Sequence, residues 1–503
     1  MANHLFDALI QARADAPTSN GGALFVDNTS IILDDTAFFN LSARISSVLL
    51  DARVKPGDRV AVQVHKSIEA LAVYIACLRI GAVFLPLNTA YTSHELQYFI
   101  DDATPSLLIV DPDSESIAHQ LLHAAQVHTL SATGEGSLTT AADKASALHE
   151  VVPRAPDDLA AILYTSGTTG RSKGAMLTHD NLLSNALTLV DYWKFSADDV
   201  LLHSLPIFHT HGLFVASNII LLCGGSMIFQ SRFVLDDVLS ALPHTTSMMG
   251  VPTFYTRLLA DERFTPQLVQ HMRLFTSGSA PLLAETHREF EARTGQRILE
   301  RYGMTETNMS TSNPYSGERI AGTVGLPLPG VAVRVCDQST DVIKKTGEVG
   351  VLHVKGPNVF AGYWQMPEKT AEELLPDGYF ITGDLATIDE QGYVTIVGRS
   401  KDLIISGGYN IYPKEIELLI DELEGVLESA VVGVPHADFG EAVLAIIVTD
   451  PKATPAPDAT AVLDSLDGKL ARFKMPRKVE FVAELSRNTM GKVQKNLLRE
   501  QYS

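Results

Sequence analysis

The chain has 503 residues, 46% of them hydrophobic and 19% charged, which is enough apolar content for a large core spread over about three structural units. A formal net charge of −20 argues against nucleic acid as a partner, because neutralising phosphates needs a basic face, and no run of about 18 apolar residues marks a membrane span. The three cysteines, Cys77, Cys223 and Cys336, are spaced for neither a disulfide framework nor a zinc site and are expected as buried or half-buried free thiols.

The opening MANHLFDALIQARADAP reads as a short amphipathic helix. It lacks a charged segment followed by an apolar one, so secretion is not expected and a cytoplasmic protein is. Residues 41–52 are helix-like, VKPGD turns into the strand RVAVQV, residues 68–80 are helix-like again, and AVFLPLN reads as a strand. A helix over 93–101 and the short strand LLIV (107–110) follow. This alternation predicts parallel sheets covered by helices, and a second round runs from about residue 200 to 303. After GLPLPGV the texture changes: VAVRVCD, GEVGVLHVKG and GYVTIVG, separated by turn residues, predict an antiparallel, barrel-like subdomain. Around GRSKD it changes again. A helix over 413–423, the strands SAVVGVP and EAVLAIIV, and a helix over 461–470 predict a small α+β domain. The expected class is α/β, with a large N-terminal domain over 1–399 and a small C-terminal domain over 400–503.

Between a predicted strand over 155–163 and a predicted helix over 181–193 lies YTSGTTGRSKGAM. It fails the G-x-x-x-x-G-K-[ST] spacing: Gly167 and Gly170 are too close, and Gly174 stands where Ser or Thr belongs. A Gly/Ser/Thr loop still turns backbone N–H groups and hydroxyls toward a polyphosphate, with Lys173 as a cation; the bland alternative is an ordinary turn. Four further stretches bear on that choice. ERYGMTET places Thr305 and Glu306 after a strand, and a carboxylate beside a polyphosphate is the usual way to hold Mg²⁺. YFITGDLATID sets Asp384 at a strand end, suited to ribose hydroxyls. VGRSKDLIISGGYNIYPKEIE combines Arg399 with Gly407 and Gly408, and SRNTMGKVQKNLLRE puts Lys492 on a turn before a helix. Taken singly, each has a bland reading as a cap, a hairpin turn or a solvated lysine.

As an ordered set, YTSGTTGRSKG, YGMTE, TGD, GRSKDLI and NTMGK resemble the adenylate-forming superfamily of acyl-CoA synthetases, peptide-synthetase adenylation domains and luciferases, over essentially the whole chain. The resemblance implies two half-reactions. A carboxylate attacks the α-phosphorus of ATP to give an acyl-adenylate and pyrophosphate, and the thiol of coenzyme A then displaces AMP. It implies that Lys492 bridges the attacking carboxylate and the α-phosphate, that Glu306 holds Mg²⁺, that Thr305 meets the α-phosphate, and that Asp384 and Arg399 hold the ribose. Thr165, Ser166, Gly167, Thr168, Thr169, Gly170 and Lys173 would hold the β- and γ-phosphates, with Ser277, Gly278, Ala280, Tyr302 and Gly303 lining the nucleotide site. The C-terminal domain would swing about Lys401, withdrawing Lys492 and bringing Gly407 and Gly408 to the pantetheine tunnel.

For the acid, GVPTFYTRLL, SGSAPLL, ERYGMTETNM, PGVAVRV and VPHADFGE closely resemble malonyl-CoA synthetases. That implies malonate as substrate, with methylmalonate tolerated, Arg257 and Ser279 on the distal carboxylate, and His209 near the reacting one. On the residues alone, Arg257 is an ordinary exposed helix arginine; as a ligand it is expected to be buried and starved of a partner until a second carboxylate arrives. The alternatives are another short dicarboxylic or a small aryl acid, a domain that loads a carrier protein, and a catalytically inactive nucleotide binder.

Overall fold

The computed structural model describes residues 2–16, 22–28, 30–121, 126–165, 172–406, 409–436, 438–451, 453–488 and 492–503. The first of its two large sheets has Val83–Pro86, Arg59–Gln63, Leu107–Val110 and Gln126–Thr129 side by side in parallel. Leu159–Thr165 extends it in parallel, and Lys173–Thr178 then pairs back antiparallel. Strands such as LLIV are buried on both faces, which is why they read as unbroken apolar runs. In the second sheet Leu299–Met304, Leu274–Ser277, Ser247–Gly250, Val200–His203, Ser226–Phe229 and Ala23–Val26 run parallel, and antiparallel strands flank both ends.

Between the sheets lies the helix Ile68–Ile80, capped by Ser67 and closed by Gly81 in the left-handed region. It is apolar nearly all round because it is covered nearly all round, and its Tyr74 packs on Phe84 and Phe214. Cys77 and Cys336 are buried and Cys223 half-buried, all as free thiols. Ala332–Cys336, Gly350–Lys355, Phe380–Ile388 and Val394–Arg399 form a four-stranded antiparallel meander. The small C-terminal domain is a five-stranded sheet with strict alternation: Val431, Val443, Ala445 and Ile447 face the helices Pro413–Asp421 and Ala459–Leu466, while Ala430, Val432, Leu444 and Ile446 face Lys495–Tyr502. Among the described residues no helix is long and apolar enough to cross a membrane.

Three expectations change. The helix expected from residue 41 starts earlier, as Asp35–Asp51, because the Asp34 carboxylate caps the Ala37 N–H. Lys173, expected on the Gly/Ser/Thr loop, instead opens the strand Lys173–Thr178, where its Cα partner is Thr165. Asp384 lies in the middle of the nine-residue strand Phe380–Ile388 rather than at its end, since the strand continues past the TGD turn signal.

Candidate active site

The site candidates gather where the two parallel sheets, the meander and the C-terminal domain meet. Asp384 and Arg399 sit opposite each other on paired strands, with Arg399 Nε 2.7 Å from Asp384 Oδ1. Tyr302 Oη donates to Asp384 Oδ2 at 2.6 Å, so both carboxylate oxygens are held. The charge of Asp384 raises the Arg399 pKa above its already high value. A fixed, twice-bonded carboxylate suits a hydroxyl-bearing ligand better than a free one does.

Lys492 reaches this cluster from the C-terminal domain. The adjacent Arg399 guanidinium, followed by desolvation, holds the lysine below its ordinary pKa, against the opposing pull of Asp384, Asp402 and Glu306. Its backbone is fixed by a pair of bonds: Lys492 N–H donates to Asn488 Oδ1 at 3.0 Å, and Asn488 N–H donates to the Lys492 carbonyl at 2.9 Å. Arg499 of the last helix meets Asp402, next to the expected hinge residue Lys401, at 3.2 Å.

Glu306 is buried, and burial pushes its carboxyl above the usual range despite the charges of Lys173 and Arg399 and a bond from Tyr363 Oη at 3.1 Å. One buried carboxylate with an oxygen in hand fits Mg²⁺, which takes one or two protein carboxylates and completes its shell with phosphate and water. Thr305 beside it is half-buried. Thr165 Oγ1 donates to the Lys173 carbonyl at 3.4 Å, and Lys173 Nζ lies 3.3 Å from Glu373. Ser166, Gly167, Thr168, Thr169, Gly170, Gly407 and Gly408 fall outside the described residues.

The opposite wall carries the histidines. His209 Nδ1 accepts the His211 backbone N–H at 3.2 Å, which leaves the proton on Nε2. Burial first, then Arg301 and Lys492, hold its pKa down at about 4, so His209 is a neutral hydrogen-bond donor near pH 7. His211 opens the wide helical turn His211–Ser217, whose Gly212 packs so close to the Pro206 carbonyl that a Cβ would meet it at 2.1 Å. That turn is anchored from beneath: Lys66 Nζ donates to His203 Nδ1 at 2.9 Å, and His203 Nε2 donates to the Gly212 carbonyl at 2.9 Å. Ser279, half-buried with φ +69, bonds His211 Nδ1 at 3.2 Å, while His211 Nε2 is buried without a partner among the described residues. Strain of this kind, a serine held in the left-handed region, is concentrated at ligand-binding walls.

Arg301 is the residue that sequence reasoning missed. It is 3% exposed, and its Nε and Nη2 are buried without hydrogen-bond partners among the described residues. Desolvation lowers its pKa to about 9, and its charge depresses both His209 and His211. Gly278 makes the room: a Cβ there would stand 2.3 Å from Arg301 Nη1. By contrast Arg257 is exposed on the helix Pro252–Leu259, its guanidinium 6.0 Å from the Phe233 ring centroid, and among the described residues it forms no hydrogen bond or ion pair. The expectation that Arg257 is the buried cation in want of a partner is therefore corrected. The TRLL stretch puts it on the solvent face, and the unpaired buried guanidinium belongs to Arg301.

This arrangement can hold a nucleotide between Asp384–Arg399 and Lys173, and a small acid between Lys492 and the Arg301–His209 wall. The AMP-binding enzyme family matches residues 36–364, and the AMP-binding enzyme C-terminal domain matches residues 415–492. The chain belongs to this family, and within it to the AMP-forming acid–CoA ligases, which use ATP, Mg²⁺ and CoA. It is 34% identical to a malonate–CoA ligase of Arabidopsis thaliana over 88% of this chain and 79% of that protein. It is 37% identical to a feruloyl-CoA synthase of an Amycolatopsis species over 92% of each. Among solved structures, ATP-bound MatB from Rhodopseudomonas palustris is 56% identical with a TM-score of 0.96, covering 100% of this chain and 99% of that one. The apo form of MatB gives 0.84 at the same identity and coverage.

Proposed function

We propose that this enzyme ligates malonate to CoA through a malonyl-adenylate, and that methylmalonate is also accepted. Identity alone does not choose the acid, because the malonate and feruloyl relatives are about equally similar, at 34% and 37%. The observation that carries the reading is Arg301: a buried guanidinium with two unpartnered nitrogens is an uncompensated charge, unfavourable by about 3–5 kcal/mol until an anion joins it. A monocarboxylate whose single carboxylate is engaged at phosphorus leaves Arg301 in that state, whereas the second carboxylate of malonate relieves it. Ser279 would add a hydroxyl, and Arg257 would meet the same carboxylate from the solvent side.

In the first half-reaction one malonate oxygen attacks the α-phosphorus and the bond to the β-phosphate breaks. Lys492 and Thr305 would steady the charge passing between the two anions, and His209 Nε2–H would orient the carboxylate. Thr165 and Lys173, with the loop 166–170, would hold the departing pyrophosphate. Ser277, Gly278, Ala280, Tyr302 and Gly303 would line the nucleotide site, with Asp384 and Arg399 on the ribose and Mg²⁺ on Glu306. In the second half-reaction the CoA sulfur, having lost its proton, attacks the acyl carbon and AMP leaves. The domains, divided near residue 399, would swing about Lys401 between these steps, bringing Gly407 and Gly408 to the thiol. The higher TM-score to ATP-bound than to apo MatB, 0.96 against 0.84, supports reading the present arrangement as the adenylating one. The test is AMP and pyrophosphate release with ATP and CoA across malonate, methylmalonate, acetate, hexanoate, benzoate and ferulate. Malonate is expected to lead, and a faster rate with ferulate or hexanoate would refute the assignment.

A further inference from the structure

Glu373 ends the helix Pro367–Glu373, and its carboxylate is shared by three donors. Tyr363 Oη donates to Oε2 at 2.7 Å, Lys369 Nζ lies 2.9 Å from Oε1, and Lys173 Nζ stands 3.3 and 3.4 Å from the two oxygens. Lys173 also sits 4.0 Å over the Tyr363 ring. The Lys173–Glu373 pair is only about one-fifth exposed on either side, so solvent does little to loosen it. Burial pushes the Glu373 carboxyl up, but the bonds from Lys369 and Tyr363 and the charges of both lysines outweigh it and keep the group ionised.

The arrangement has unequal arms. Lys173 is the longest and weakest of the three contacts, and it is the one cation of the three donors that opens a strand next to the phosphate-loop candidate. If Lys173 leaves, Lys369 and Tyr363 still satisfy Glu373, so the carboxylate is not stranded. If Lys369 were absent, Glu373 would depend on Lys173 and hold it harder. Tyr363 carries a single proton between Glu373 and Glu306, which places the metal-holding candidate on the same network.

We propose that Glu373 is an internal anion that competes with pyrophosphate for Lys173 and so hastens pyrophosphate release, with Lys369 setting the strength of that competition. Resting on the reading of Lys173 as a phosphate contact, this makes Glu373 a positioning residue that acts through Lys173. ATP draws Lys173 away from Glu373; once the α–β bond has broken, Glu373 takes the lysine back and the leaving group loses a counter-ion. No covalent bond to the protein forms or breaks.

Two substitutions shift the competition in opposite directions, which a loss of packing does not do. In the full-length enzyme, Glu373→Gln should lower the inhibition constant of pyrophosphate and the KM for ATP by roughly fivefold, on the order of the roughly 1 kcal/mol of one ion pair. Lys369→Gln should raise both. Glu373→Asp should restore part of the wild-type value. Shifts of the same sign in Glu373→Gln and Lys369→Gln, or none in either, overturn the proposal. Lys173→Gln separates it from the reading beneath: if Lys173→Gln leaves pyrophosphate inhibition unchanged, Lys173 is not a phosphate contact and both fail. If Lys173→Gln weakens inhibition while the other two are inert, only the competition is refuted. Should Glu373→Gln fail to fold, the sign of the Lys369→Gln shift decides, a lowered constant being the contrary result.

Discussion

The two halves of the site are built on opposite terms. Around the expected phosphate position the described charges are largely paired: Lys173 and Lys369 meet Glu373, Tyr363 lies between Glu373 and Glu306, and Asp384 holds Arg399 and Tyr302. On the proposed acyl side Arg301 Nε and Nη2 and His211 Nε2 are buried with no partner among the described residues. Paired groups have to exchange partners when a ligand enters, so they moderate binding and favour turnover. Orphaned donors can only gain, and they gain only from a ligand that reaches them, so they discriminate. Other arginines in this protein show that pairing was available. Arg273 makes two bonds of 2.6 and 2.7 Å to Asp199, and Arg399 has Asp384.

This contrast can be broken in order of expected effect. Lys492→Ala should slow malonyl-adenylate formation by roughly a thousandfold, the scale of a lost charge-stabilising donor, yet leave thioester formation from supplied malonyl-adenylate nearly intact. Equal loss in both half-reactions would contradict the swing. Arg301→Met should cost more than about a hundredfold in kcat/KM for malonate and at the same time raise Tm, because an unpaired buried charge is exchanged for an apolar side chain. A fall in Tm would mean that Arg301 is structural. Arg257→Ala should cost only about tenfold, with Tm unchanged, since its charge stays in water whether or not malonate is bound. A larger loss than for Arg301→Met would restore the original assignment to Arg257.

The smallest effect is one of pH. His179 and His209 are held at about 4, and His203 and His211 well below the usual histidine value, in each case first by burial. All four are neutral in the folded chain at a pH where the unfolded chain binds protons. Stability contributed by their neutrality is therefore full above about pH 6.5 and is lost as pH falls from there toward 4. Tm measured over that window should drop, and His209→Asn should flatten part of the slope. On the basic side, adenylation should decline as pH rises, and should begin to do so before the ordinary lysine pKa of about 10.5 is reached, because Arg399 depresses Lys492.

Much of this was readable before any coordinates. The parallel strands announced themselves as apolar runs, the C-terminal sheet as alternation, and the nucleotide residues as short motifs whose chemistry is local. Arg301 was not, although it stands inside the quoted ERYGMTET. Beside Glu300 it looks like half of a solvated charge pair, and room for its burial is left by the missing side chain of Gly278, just past the neighbouring strand Leu274–Ser277. Glu373 was hidden for a related reason. Its partner Lys173 lies 200 residues away, and nothing in PEKTAEELL distinguishes it from an ordinary acidic helix end. Arg257 misled in the opposite direction: the residues alone read it as an exposed helix arginine, which it is, and only the resemblance placed it in the site as a buried cation.

On the proposed reading, the depth of Arg301 also bears on how an enzyme of net charge −20 would take a doubly charged acid. Mobile ions reach the outer surface and mask its repulsion, but they do not reach a guanidinium walled in by Gly278, His209 and His211. Added salt therefore acts on the approach of the substrates and leaves the choice between them untouched: the encounter rate should climb with ionic strength while the ratio of malonate to acetate turnover stays level.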